Sequence, residues 1–286
     1  MKVGWVAFRT VLLALAFASM AWGFRLMLFD HLPVAFQSDL EDLSYGWYVP
    51  LFSLYVLWRE RREIAASVGE PTLAALPLLA FSLFIGFLGA RGSQVRFEIL
   101  GFVGMLVSLT WTFFGRKTGK QVLFPALFLL FCMPLHSFLD IVTIHLRHLA
   151  VAVAYFVMKG VGVEIVRQGT MLASPSGSFA IDVAEPCSGL RSLFAMAALT
   201  AGYAYFTQPT WPRRGVLFAL SVPIAVAGNI VRIFSIVAIA ATCSADFATG
   251  FYHDYSGYVV FLVAIALMVA CGELVAKGVE KCGRGR

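Results

Sequence analysis

Long apolar runs, repeated from one end of the chain to the other, constrain this sequence more than any motif in it. A helix needs roughly 20 apolar residues to cross the hydrocarbon of a bilayer. Stretches of about that length lie over Trp5–Phe29, Leu73–Ala90, Phe97–Gly115, Gln121–Leu139, Cys187–Phe206, Gly215–Ala241 and Gly257–Lys277. A shorter one, Tyr45–Trp58, has aromatic anchors at both ends in Tyr45, Trp47, Tyr48 and Trp58. Of 286 residues, 60% are hydrophobic and 13% charged, so no soluble domain of this size has enough polar surface to cover it. A transmembrane barrel needs alternating segments, not unbroken runs. The expected fold class is therefore an all-α polytopic membrane protein with eight transmembrane helices, forming a single domain over residues 1–286.

Charge placement sets the expected orientation. Arg59-Glu60-Arg61-Arg62, Arg116-Lys117 with Lys120, Arg213-Arg214 and the tail residues Lys277, Lys281, Arg284 and Arg286 lie between or after the apolar runs. Basic residues there mark cytoplasmic loops, so the net charge of +6 reflects membrane topology and gives no reason to expect a nucleic-acid partner. Both termini are then cytoplasmic, and the acidic stretch Asp39, Glu41 and Asp42 is external. The Arg91/Arg96 loop falls outside against the charge rule. The first apolar stretch reads as an uncleaved helix, not a signal peptide, because so many spans follow.

Ile141–Gly160 carries His145, Arg147 and His148, and its clean apolar run, Leu149–Met158, is too short to cross. Kept on the outer surface as an interfacial or re-entrant helix, it restores the charge rule downstream. The sequence after it, Val161 to Val183, reads as two short strands around a Ser-Pro-Ser-Gly turn. Residues 139–186 thus form the expected extracytoplasmic segment, an interfacial helix and a small β-hairpin.

The five cysteines are scattered, with no paired spacing, and suggest neither zinc nor a disulfide framework. Cys187 differs by context. In "AEPCSGLRS" it opens an apolar span, after Pro186 and before Ser188, where a helix leaves N–H groups unpaired. The positive end of the helix dipole favours a thiolate there. Arg191 follows at i+4, on the same face about 6 Å further along. Two readings stand on this motif alone: an activated thiol, or a buried helix-start cysteine with a snorkelling arginine.

Inside the next span, "GNIVRIFSI" places Asn229, the only asparagine of the chain, and Arg232 on one face of a helix. An arginine in a membrane helix must face a partner, a bundle interior or a wet cavity; a structural clamp and a functional group both satisfy that. His253 and Asp254 lie in "FYHDYSGY", before the last span and on the same side as Cys187. A thiol, an imidazole and a guanidinium suit acyl transfer: histidine moves the proton, arginine stabilises the thiolate or an oxyanion. A second group, His136, Asp140, His145 and His148, contains an i, i+3 histidine pair, but an amphipathic interfacial helix uses such residues without metal. No metal or other cofactor is expected.

With these pieces in order, the chain resembles the exosortase/archaeosortase family of eight-span membrane cysteine transpeptidases. The resemblance rests on "YGWYVPLFSLYVLWRERR", "FPALFLLFCMPL", "CSGLRS", Asn229-Ile-Val-Arg232, and His253 followed by Gly257. It implies Cys187 as nucleophile with Arg232 and His253 as partners, and Ser188, Arg191, Asn229 and Asp254 in support. A histidine at the third position is similar to the exosortase branch. The resemblance further implies substrates that are exported, membrane-anchored proteins with a C-terminal sorting signal: a short motif such as Pro-Glu-Pro, one helix and a basic tail. Cleavage would pass through a Cys187 thioester to an envelope acceptor at a bacterial inner membrane, in connection with exopolysaccharide production. The residues alone leave open whether Arg191 or Arg232 partners the thiol. They also leave open a permease or polysaccharide-export component with Arg191, Asn229 and Arg232 lining a path.

Overall fold

The computed structural model describes residues 2–37, 43–182 and 190–283. The acidic stretch at 39–42, the segment with Cys187 and Ser188, and the last three residues lie outside the described residues. The elements run α1 (Lys2–Gly23), α2 (Leu32–Gln37), α3 (Tyr48–Arg59), α4 (Arg61–Ala66), α5 (Leu76–Gly92), α6 (Val95–Phe128), α7 (His136–Gly160), β1 (Val166–Gln168), β2 (Met171–Ala173), β3 (Ala180–Asp182), α8 (Leu190–Thr207), α9 (Trp211–Thr242), α10 (Ala245–Phe247) and α11 (His253–Gly283). Among the described residues, four stretches are long and apolar enough to cross a membrane: Leu73–Gly92, Val95–Cys132, Trp211–Thr242 and Tyr255–Ala276. The chain is an all-α membrane protein in its main mass, and it packs as two units, Met1–Ser137 and Phe138–Arg286.

In the first unit, α5 and α6 form a close antiparallel pair made possible by small residues. Ser82, Gly86 and Gly89 on α5 are buried; Ser82 and Gly86 face Gly101 and Gly104 on α6, and Gly89 faces the backbone at Phe97 and Glu98. A Cβ at Gly101 would come within 2.6 Å of the Gly86 Cα. Membrane helices have no hydrophobic drive toward one another, so close backbone approach supplies the dispersion contacts instead. The spans expected over Phe97–Gly115 and Gln121–Leu139 are joined as one long element with a break at Gly115, whose φ of 86° is open to glycine without strain. The second of them ends earlier than the sequence suggested: Met133-Pro134-Leu135 interrupts the helix, since proline lacks the N–H that a continuing helix needs.

The first unit also holds a polar pair absent from the sequence reading. Glu98, almost fully buried, places Oε2 3.2 Å from His31 Nδ1, within hydrogen-bond distance. His31 ends a π-helical turn, Met27–His31, that interrupts the first long helix.

The second unit has two stacked cores. Met196 of α8, Ala225 of α9, and Ala264 and Met268 of α11 form one, within the apolar helices. Ile233, Ile236, Val237 and Ala240, the last turns of α9, form the other with Ala150, Val151, Ala154 and Met158 of α7 and with Leu172 and Ile181 of the strands. The strands make one antiparallel sheet in the order β1-β2-β3, with Arg167 opposite Leu172 and Leu172 opposite Ile181. The Ser-Pro-Ser-Gly turn lies between β2 and β3, and β1 is an additional strand. The face of α7 away from this core carries Leu149 and Phe156 in exposed positions.

The small-residue contact generates a direct test. Gly101→Val should lower the thermal midpoint of detergent-solubilised protein, by overpacking that costs about 1–3 kcal/mol, whereas Leu100→Val, at an exposed position of the same helix, should leave it close to that of the wild type.

Candidate active site

Along α9, Arg232 falls between the two cores: Ala225 belongs to one and Ile233 begins the other. It lies 21 residues after Trp211, the start of the helix, which is about 32 Å along the axis and close to the ~30 Å thickness of bilayer hydrocarbon. If Trp211, Arg213 and Arg214 mark one interface, this axial distance puts Arg232 at the level of the opposite one. The remaining turns of α9 extend roughly 15 Å beyond. On that count the arginine falls at the edge of the apolar layer, where its cost is smallest.

α11 begins at the same level. His253 is its first residue, and the apolar stretch Tyr255–Ala276 follows directly. The two helices are tied there by one guanidinium. Arg232 Nη2 donates to the His253 carbonyl at 3.1 Å, and Arg232 Nε donates to Ser256 Oγ at 3.3 Å. Ser256 Oγ in turn donates to the His253 carbonyl at 3.1 Å, closing a ring of three hydrogen bonds. Gly257 lets the guanidinium lie against the backbone: a Cβ there would stand 3.4 Å from Arg232 Cζ.

Among the described side chains the electrostatics of this arrangement are one-sided. The first turn of α11 presents the positive end of a helix dipole, and a guanidinium has been added to it. Among the described side chains, no carboxylate pairs with Arg232, and its Nη1 has no hydrogen-bond partner. Both groups therefore favour an anion at this point: a thiolate, a carboxylate or the oxyanion of an acyl-transfer intermediate.

Of the residues singled out from sequence, Arg232 and His253 are brought together, through the histidine's main chain. Asn229 lies one helical turn before Arg232 and is half-buried. Arg191 and Asp254 lie on α8 and α11, within their first two residues; their side chains, like Cys187 and Ser188 entirely, are outside the described residues. α8 is packed against both α9 and α11, and Cys187 precedes its first residue by three positions. Of the second histidine group, His148 is beside Arg167 of β1, whose Nη2 donates toward His148 Nδ1 at 3.5 Å. The side chains of His136 and Asp140 are outside the described residues. Ser256 was not picked out from the sequence. The available signal was a serine three residues after the start of an apolar helix, where a hydroxyl bonds back to a carbonyl.

A family model described as transmembrane exosortase matches residues 37–270, most of the chain and parts of both units. The chain belongs to the transmembrane exosortase family. No curated protein and no solved structure matches it. Family membership supports a transpeptidase-type function in the membrane.

The contact at Gly257 separates a tolerated from an untolerated change in this exosortase. Gly257→Ala places a methyl at ordinary contact distance and should retain turnover of a membrane-anchored reporter within about fivefold. The further carbons of Gly257→Leu would claim the guanidinium's place and should reduce turnover at least ~100-fold with expression unchanged; equal activity of the two variants would contradict the close packing of Arg232 on this turn.

Proposed function

We propose that this exosortase is a cysteine transpeptidase that cleaves the C-terminal sorting signal of exported proteins, with Cys187 as nucleophile and Arg232 and His253 as its partners. The observation that carries the reading is the guanidinium fixed by two hydrogen bonds on the turn that begins with His253, with no carboxylate partner among the described side chains. Such a group stabilises negative charge at that height, and a thiolate three residues before α8 is the anion the sequence offers.

In this reading the Cys187 sulfur attacks the carbonyl carbon of the scissile peptide. A C–S bond forms and the carbonyl electrons move onto oxygen, where Arg232 offsets the charge. As the oxyanion collapses the C–N bond breaks, and the departing amine takes its proton from His253. An incoming acceptor amine loses its proton to His253 and attacks the thioester, the C–S bond breaks, and the thiolate returns. Ser188, Arg191, Asn229 and Asp254 support the site, with Arg232 ahead of Arg191 as the thiol's partner.

The substrate is itself anchored by a helix with a basic tail, so its cleavable motif, of the Pro-Glu-Pro kind, rides at the outer interface. Enzyme and substrate then meet in two dimensions at matched height, which supplies part of the positioning entropy. We read the protein as a multi-pass component of a bacterial inner membrane with eight spans and both termini cytoplasmic. α7 and the strands lie on the extracytoplasmic side, where the β2–β3 hairpin offers an edge for an extended peptide. A permease needs polar groups distributed along a path. Arg232, His253 and Ser256 gather at one level instead, which favours the enzyme.

A secreted reporter ending in such a motif, a membrane helix and a basic tail tests this when co-expressed with the protein and followed by gel mobility. The wild type should yield a shorter product. Cys187→Ala should yield none, and Cys187→Ser at least ~1,000-fold less, because a hydroxyl is a far poorer nucleophile at neutral pH. Undiminished processing by Cys187→Ser would remove the thiol from the mechanism.

A further inference from the structure

We infer that Ser256 is a positioning residue of this exosortase: its hydroxyl orients the Arg232 guanidinium and couples it to the backbone that carries His253. The inference rests on the reading of Arg232 and His253 as site residues. Ser256 is 3% exposed, in the first turn of α11. A buried hydroxyl on a membrane helix commonly returns its hydrogen bond to a carbonyl three or four residues back, with no further partner required. Here it does so, to His253, and also accepts from Arg232 Nε.

The consequence lies in which guanidinium edge is used. An arginine presents five N–H donors in a planar fork. Ser256 holds the Nε–H, and the His253 carbonyl holds one N–H of Nη2. Gly257 backs the plane. Two anchors and a flat support fix the plane and its rotation, and they leave Nη1 as the edge turned away from the anchors. That is the edge an anionic group can use. Without the Ser256 oxygen, a single bond to the His253 carbonyl remains, and the guanidinium can pivot about it. The same hydroxyl bridges to the His253 carbonyl, so the cation and the start of the histidine helix move as one body. Alanine keeps the helix and loses the oxygen; threonine keeps both.

The test compares Ser256→Ala, Ser256→Thr and Arg232→Ala in the full-length protein in proteoliposomes. The probes are the membrane-anchored reporter and iodoacetamide, with alkylation read at the Cys187 peptide by mass spectrometry. Ser256→Ala should lower the maximal processing rate about 10- to 100-fold, the scale of one hydrogen bond to a charged group. The reporter concentration giving half-maximal rate should change less than threefold, since Ser256 does not touch substrate. Ser256→Thr should recover the rate to within about threefold of wild type. Cys187 alkylation should slow in Arg232→Ala and, in the same direction, in Ser256→Ala. Slowed alkylation in Arg232→Ala with wild-type behaviour in Ser256→Ala would overturn the role of Ser256 alone. Alkylation unmoved by Arg232→Ala would overturn the site reading and the Ser256 inference with it. A Ser256→Thr variant as impaired as Ser256→Ala, with both still folded by thermal melting, would show that packing and not the hydroxyl is what matters.

Discussion

A guanidinium at the edge of a membrane needs hydrogen-bond acceptors for its N–H groups and a counter-charge for its cation. Arg232 has acceptors in the His253 carbonyl and the Ser256 hydroxyl, and no carboxylate among the described side chains supplies the second need. A guanidinium and a helix N-terminus side by side both favour an anion placed against them. Much of the second unit serves to hold this one charge at one height.

Two cores perform that holding. Below Arg232, α8, α9 and α11 pack through Met196, Ala225, Ala264 and Met268. Above it, the last turns of α9 become the central element of a small core with α7 and the three strands. The arginine is thus pinned by apolar packing on both sides along its own helix, and α9 cannot slide without disrupting both. Gly257 and Ser256 add the lateral constraint, one by having no side chain and the other by having a short polar one. If the substrate is tethered by its own helix, as proposed, a fixed height is the relevant form of preorganisation, since the membrane then confines the encounter to a plane.

Much of this was legible in the sequence, and for physical reasons. Apolar run length is set by bilayer thickness, so the four stretches that meet the length and apolarity needed to cross fall where the sequence put spans. Arg232 and His253 stood out because charge and imidazole are costly or conspicuous next to such runs. The strands were legible only in part: the Ser-Pro-Ser-Gly turn marks β2 and β3, while β1 turns back at Gly169-Thr170, a weaker signal. Tertiary neighbours are what the sequence withheld. Nothing near Ser256 in the chain announces Arg232, 24 positions earlier. The pairing of His31 with Glu98 spans a longer separation still.

The most direct test of the central claim is to look for the acyl-enzyme. Wild-type protein in proteoliposomes would be incubated briefly with the membrane-anchored reporter, quenched in acid, digested and searched by mass spectrometry. The account predicts a reporter fragment bound to the Cys187 peptide, released by hydroxylamine as a thioester must be, and missing from Cys187→Ala. Processed reporter formed at the wild-type rate by Cys187→Ala, or an adduct carried on a residue other than Cys187, would contradict it.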